Sequence, residues 1–210
     1  ILSQAILAKL YFTNFFTKLN KLLYPLIAFP HITMAVGISF LFSSSGFFIR
    51  ILSLVFNFDR PPNLDLFPDN YGLFLIFGLI LKETPFFLLM SIGFLNNVKS
   101  KEYFSLAKSK NFSDFTSWIF FIFPLIYRKL KITIFVVLIF SATVIDMSLI
   151  LAPTTPSTIS IRILQLFQQP ELASFSIASC LSIIQLLIII LIILTWISLE
   201  KLICKQQYLV

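Results

Sequence analysis

The chain has 210 residues, of which 58% are hydrophobic, only 12% are charged and 26 are phenylalanine. A water-soluble domain carries roughly 25% charged residues, so this composition excludes an ordinary soluble fold and belongs in a lipid bilayer. The net charge of +7 would suit a nucleic-acid partner, but its placement follows membrane topology, and no nucleic acid is expected.

The first residue is Ile1, so the sequence reads as a piece of a longer reading frame, with no signal peptide to interpret. Residues 1–21 mix apolar residues with Lys9, Lys18 and Lys21. They read as the tail of an earlier span or a cytoplasmic connecting helix. Residues 22–45 form the first complete span. Pro25 and Pro30 fall inside it, so a kink with freed carbonyls is expected. His31 lies beside that kink. Its plain role is to satisfy a freed carbonyl or a neighbouring helix, and its sharper role is to line a pathway. A histidine inside a span is unusual enough to make it a candidate.

Residues 46–58 place Phe47, Phe48, Ile51, Leu52, Val55 and Phe56 on one face, opposite Arg50, Ser53 and Asn57. That is the spacing of an amphipathic helix lying in the interface. Residues 59–70, with Pro61, Pro62, Pro68 and three aspartates, predict an irregular, water-facing loop. Residues 71–95 form the second span and carry Lys82-Glu83-Thr84-Pro85 near the middle. Charges at that depth are costly and should face the bundle interior or a water-filled cavity. Adjacent residues on a helix point in different directions, so Lys82 and Glu83 do not simply pair with each other. Either each binds another helix and holds the bundle together, or both belong to a pathway.

Residues 96–131 are the one long polar segment with helix signals. Tyr103, Leu106, Ala107 and Lys110 fall at helical spacing, and the first three make a short apolar stripe. Asn111 follows, a residue that tolerates the left-handed conformation ending a helix. Ser113 can cap a second helix with Asp114 in its first turn, and Phe112, Phe115, Ile119 and Ile122 continue a stripe along it. The expectation is a helix-turn-helix between two spans, bounded at about 96–129.

Residues 130–152 form the third span, with Asp146 about three-quarters along it, near Ser141, Ala142 and Ser148 on a packed face. Pro153-Thr154-Thr155-Pro156 ends that span. Residues 157–167 set Ile159, Ile163 and Leu166 against Arg162 and Gln165, which predicts a second interfacial helix. Residues 175–199, nearly all Ile and Leu, form the fourth span and stop at Glu200 and Lys201. About 20 apolar residues suffice to cross. No internal repeat is present.

Of the 16 Lys and Arg, three lie in residues 1–21, seven in 96–131 and two in 199–210, whereas only Arg50, Arg60 and Arg162 lie in the alternate loops. The bias puts both ends and the 96–129 segment in the cytoplasm. Cys180 and Cys204 lie ~36 Å apart along one helix, too far to bond, and read as small apolar residues. With one histidine, no metal set and no Ser-His-Asp or Cys-His set is credible. No phosphate-binding glycine loop exists, so no cofactor is expected and no enzyme activity is assigned.

Read from Pro124 backwards, the 96–129 segment resembles the coupling loop of the MetI-like permease subunits of binding-protein-dependent ABC importers. Their pattern is Glu-Ala-Ala, three residues, Gly, nine residues, Ile, one residue, Leu-Pro. Here it becomes Ser105-Leu106-Ala107, three residues, Asn111, nine residues, Phe121, Ile122, Phe123-Pro124. Ala107 and Pro124 match by identity, Asn111 replaces the glycine, and Glu102 sits one turn before the expected glutamate. The resemblance covers residues 20–205, leaving one or two N-terminal spans of the family core unaccounted for.

It implies an all-α polytopic membrane helix bundle in the bacterial inner membrane. Its implied partners are cytoplasmic ATP-binding subunits, a second permease half and an extracytoplasmic solute-binding protein, besides membrane lipid. Glu102, Tyr103, Leu106, Ala107, Asn111, Phe115 and Pro124 would then couple to the ATPase, which supplies the hydrolysis. His31, Lys82, Glu83 and Asp146 are the intramembrane polar candidates. Lys82-Glu83-Thr84-Pro85 and the 146–156 stretch also resemble a permease branch associated with thiamine-type solutes. Ferric iron, a polyamine or an oxyanion stays open as substrate. The other classes compatible with this sequence are a secondary transporter and a non-transport membrane assembly or anchor protein.

Overall fold

A computed structural model describes residues 2–10, 15–57, 67, 69–96 and 100–207, and every regular element among them is helical. Helices α1 (Leu2–Leu10) and α2 (Phe15–Ala28) come first. Pro25 rides inside α2, but Pro30 ends it. Pro30 has no N–H to give, and it pushes Phe29 before it out of the helical region. Helix α3 (His31–Phe42) restarts with Pro30 as its extended N-cap. The expected span at 22–45 is therefore two helices meeting at Phe29–Pro30, not one kinked helix.

A tight turn at 43–46 follows. A Cβ on Gly46 would lie 2.7–2.8 Å from the carbonyl oxygens of Phe40, Leu41 and Ser43, so only glycine fits. Helix α4 (Phe47–Val55) leaves its expected apolar face exposed and buries Ile49. It ends at Asn57, with φ of 53°. Most of the expected irregular loop, including Pro61, Pro62 and Pro68, lies outside the described residues.

Helix α5 (Leu73–Asn96) is anchored at its start by the Asp69 carboxylate, which accepts the N–H groups of Leu73 at 2.6 Å and Phe74 at 3.2 Å. It continues through Pro85. Its buried stripe is Gly78, Lys82, Pro85, Leu88, Ser91, Ile92 and Leu95, a 3–4 spacing interrupted by one charge.

Helix α6 (Ser100–Ser109) and a single turn α7 (Asp114–Ser117) follow. A π-helical turn, Trp118–Ile122, then leads without a break into α8 (Phe123–Thr143). Pro124 cannot donate to a carbonyl one turn back. The wider turn accommodates this and brings the Phe123 N–H to the Trp118 carbonyl. The second helix of the expected helix-turn-helix and the start of the expected third span are thus one continuous rod.

That rod stops early. Thr143, Val144 and Ile145 are consecutive β-branched residues, which disfavour helix, and the Thr143 hydroxyl bonds back to the Ile139 carbonyl at 2.9 Å. Val144 is extended, and Asp146 begins a new short helix, α9 (Asp146–Leu151). The expected span at 130–152 is therefore divided at Val144–Ile145. Helix α10 (Ile159–Phe167), capped by the Thr158 hydroxyl, packs antiparallel against α11 (Leu172–Gln207). The Phe167 and Phe175 rings meet at 5.1 Å at one end, and Ser160 meets Gln185 at 2.8 Å at the other. The helix expected at 157–167 thus forms, and it is half of a helical hairpin with α11.

By length and composition, three stretches among the described residues could cross a membrane: His31–Val55, Leu73–Asn96 and Leu172–Leu202. The first is interrupted at 43–46. The expected 130–152 span is not among them, because its helix ends at Thr143 and its start carries Lys131 beside Arg128 and Lys129.

Among the described residues, two apolar cores hold the bundle. One joins Leu7 and Ala8 of α1, Leu23 of α2, Leu88, Ile92 and Leu95 of α5, Trp118 and Ile122 of the π turn, and Ile126 and Leu130 of α8. The other joins Ala35 and Ile38 of α3 to Val144, Met147 and Leu151. There α9 lies so close on α5 that a Cβ on Gly78 would meet Met147 and Leu151 at 2.8 Å. The first core is closed by Gln4, whose amide donates to Ser91 at 2.7 Å, and the foot of α11 is tied beside it by the Lys131–Glu200 ion pair at 2.5 Å.

Candidate functional site

Three of the four polar candidates of the spans, His31, Lys82 and Glu83, gather where α2 breaks. The last turn of α2 leaves carbonyls with no partner of their own, and lipid supplies no water to satisfy them. Lys82 reaches across from α5 and supplies the donors. Its ammonium lies 2.9 Å from the Ile27 carbonyl oxygen and also donates to Phe29 O. The negative end of the α2 dipole favours a cation there as well. The residue is 7% exposed, so this charge is withdrawn from solvent into the joint between two helices.

Glu83, the next residue, points elsewhere, as the helical geometry requires. Its carboxylate lies 3.5 Å from His31 Nε2, and both side chains are partly buried. The His31 ring also packs on Phe140 of α8 at 4.9 Å, in a tilted arrangement. So Lys82, Glu83 and His31 come together from three positions in sequence and join α2, α3, α5 and α8. Within the plain reading of His31, its contact is with the neighbouring helix α5, while the Ile27 and Phe29 carbonyls take Lys82.

Asp146 is not part of this group. It is exposed at the first position of α9, where the helix dipole favours a carboxylate. The structure does not bring it into contact with His31, Lys82 or Glu83.

The second break, at Val144–Ile145, has a cap that sequence reasoning missed. Gln185, roughly 20 Å along α11 from Leu172, donates from Nε2 to the Ala142 carbonyl at 2.9 Å and to Ser160 Oγ at 2.8 Å. The Ser160 hydroxyl turns to the same carbonyl at 3.4 Å. The available signal was a lone amide in an Ile/Leu run, since polar side chains within spans usually bond across helices. These two breaks are each closed by a polar side chain from an unbroken helix: α2 by Lys82 and α8 by Gln185.

The 100–124 segment is the second candidate site. α6 ends in a Schellman motif, with the Phe112 N–H on the Ala107 carbonyl at 3.3 Å and the Asn111 N–H on the Lys108 carbonyl at 2.9 Å. Asn111 is left-handed, with φ of 59°. Ser113 caps α7, its Oγ accepting the Thr116 N–H at 3.3 Å, and Lys108 and Asp114 close the turn at 2.6 Å. Ala107 is fully buried, as are Ser117, Trp118 and Ile122 behind the turn.

The remaining candidates face outward. Leu106 is 60% exposed and Phe115 59%, and Tyr103, Glu102, Asn111 and Pro124 are exposed too. The expected stripes are split: Ala107 and Ile122 anchor the turn, while Tyr103, Leu106 and Phe115 present an apolar surface on its outside. An open cleft of about 400 Å³ between α2 and α5 contains none of the candidate residues.

No family model, no curated protein and no solved structure matches this chain.

Proposed function

We propose that this chain is the membrane-embedded permease subunit of an ABC importer. It would form part of the path for a small solute, thiamine or a similar compound, in a bacterial inner membrane. Hydrolysis of ATP would belong to partner subunits, with a second permease half and an extracytoplasmic binding protein completing the assembly. Both ends of these residues and the 100–124 segment would face the cytoplasm. The observation that carries the reading is the 100–124 turn. Its backbone is locked by Asn111, Ser113 and the Lys108–Asp114 pair, yet it holds Tyr103, Leu106 and Phe115 outward. A rigid, water-side turn that exposes three large apolar groups suits docking on a protein groove. Movement of that turn would pass through α5 and α8, which flank it, to the broken helices. Interrupted helices within a membrane bundle are a recurrent feature of transporters. They support transport over a purely anchoring role, and the docking turn supports an ATP-driven subunit over an ion-driven one.

The test is purification of the tagged chain from its native membrane in mild detergent, followed by assay of vanadate-sensitive ATP hydrolysis. An importer permease brings a hydrolysing subunit with it. Leu106→Asp and Phe115→Asp should insert at normal levels and lose that activity by at least tenfold. A chain that purifies folded but with no associated hydrolysis, or a double variant that retains it, rules the reading out.

A further inference from the structure

The end of α2 is a ready-made cation site. It offers the carbonyl oxygens of Ile27 and Phe29 at the negative end of a helix dipole, in a bundle where bulk water is excluded. Interrupted helices in ion-coupled transporters present such C-terminal carbonyls to a bound sodium ion. In this chain a side chain fills that place. From this we infer that the α2 terminus is a monovalent-cation site permanently occupied by the protein's own Lys82 ammonium, so the bundle needs no free ion there.

Three observations carry the inference. Lys82 is 7% exposed and donates to two carbonyls of the same broken turn, which is how an ion would be held. The carboxylate next in sequence, Glu83, lies on His31 at 3.5 Å, so its contact does not draw the ammonium away from the carbonyls. The end of α8 gives the contrast. It is closed by the neutral amide of Gln185, and nothing there calls for a charge. The inference is independent of the importer reading, because it concerns the stability of the bundle and not hydrolysis by a partner.

The experiment is thermal unfolding of the purified full-length protein in detergent, at constant ionic strength, in choline, sodium, potassium or ammonium chloride. The parent melts at the same temperature in all four. Lys82→Ala melts lower by about 5 °C or more in choline, and ammonium, sodium or potassium restores at least half of the loss in a saturable way. Choline is too large to enter. Lys82→Met, whose chain fills the space without a charge, stays low in every salt. The inference is overturned if Lys82→Ala melts like the parent, if its melting is equally low in all four salts, or if the parent itself is stabilised by sodium over choline. Should Lys82→Ala yield no folded protein, Lys82→Arg and Lys82→Met decide. A tethered cation makes the arginine variant the more stable, and a methionine variant melting at or above it overturns the inference.

Discussion

A left-handed backbone costs asparagine little, glycine nothing, and a β-branched residue on the order of 1–3 kcal/mol. Asn111 holds that conformation, with φ of 59°, at the corner between α6 and α7. Its side chain is exposed, so replacing it removes no core packing. Asn111→Gly should therefore keep insertion and keep hydrolysis stimulated by the solute-binding protein. Asn111→Ile should insert at normal levels and lose stimulated hydrolysis, because α7 would leave α6 at the wrong angle. Hydrolysis by the reconstituted complex, with and without binding protein, separates the two; an isoleucine variant that couples like the parent would remove Asn111 from the coupling path. This corner was legible in the sequence because its forces are local. Asn at a helix end and Ser before Asp-Phe-Thr act within one turn of themselves. The destination of Lys82 was not legible, because its partners are backbone carbonyls 53 and 55 residues away and every residue type carries the same carbonyl.

At the scale of elements, the two interrupted helices differ in how visible they are. Proline marks the first break, and only its sharpness was underestimated. The second lies in Thr143-Val144-Ile145, where the apolar run continues unbroken through the stop and composition gives no sign of it. The packing of α10 on α11 was not legible for a related reason. One apolar face against Arg162 and Gln165 gives a helix but does not name its neighbour, which the Ser160–Gln185 contact does.

The same contact sets a test. Gln185→Leu deletes two interhelical hydrogen bonds and leaves the Ala142 carbonyl to Ser160 alone. Such bonds in membrane bundles contribute about 0.6–1.7 kcal/mol each. The variant should melt a few degrees below the parent by circular dichroism in detergent, and Ser160→Ala should lose less. Melting of Gln185→Leu at or above the parent would mean that the amide does not hold the α10–α11 hairpin to α8.

For the whole molecule, three side-chain ties between helices mark one end. Gln4 with Ser91, Lys131 with Glu200, and Trp196 with Tyr127 at 3.1 Å bring the start of the described chain, the foot of α8 and the end of α11 to the side of the 100–124 turn. Pro153 lies at the other end of α5, within 3.7 Å of where a Gly72 Cβ would be. Ser109 and Thr154, both exposed, should therefore sit on opposite faces of the membrane. In a background with Cys180 and Cys204 replaced by serine, Ser109→Cys should react with a membrane-impermeant maleimide only in inside-out vesicles. Thr154→Cys should react only in right-side-out ones. Labelling of both in the same vesicles would refute this topology. The overall helical membrane class was readable from composition alone, whereas the number of complete crossings depended on breaks that composition does not mark.

The length of α11 bears on which lipids suit this chain. Its apolar stretch runs from Leu172 to Leu199, where Glu200 and Lys201 end it, ~42 Å of helix against a hydrocarbon layer of ~30 Å. Tilting alone would require ~44°, at the edge of the usual 0–40° range. The Phe175 end is sheltered by α10 through the Phe167 ring, which shortens the part that lipid must cover, but Ile183 to Leu194 remains largely bare. In a bilayer, thickness would then act on this helix directly: longer acyl chains would let it stand closer to the normal, and shorter ones would make it lean, carrying with it the α10 hairpin and the Gln185 cap on α8.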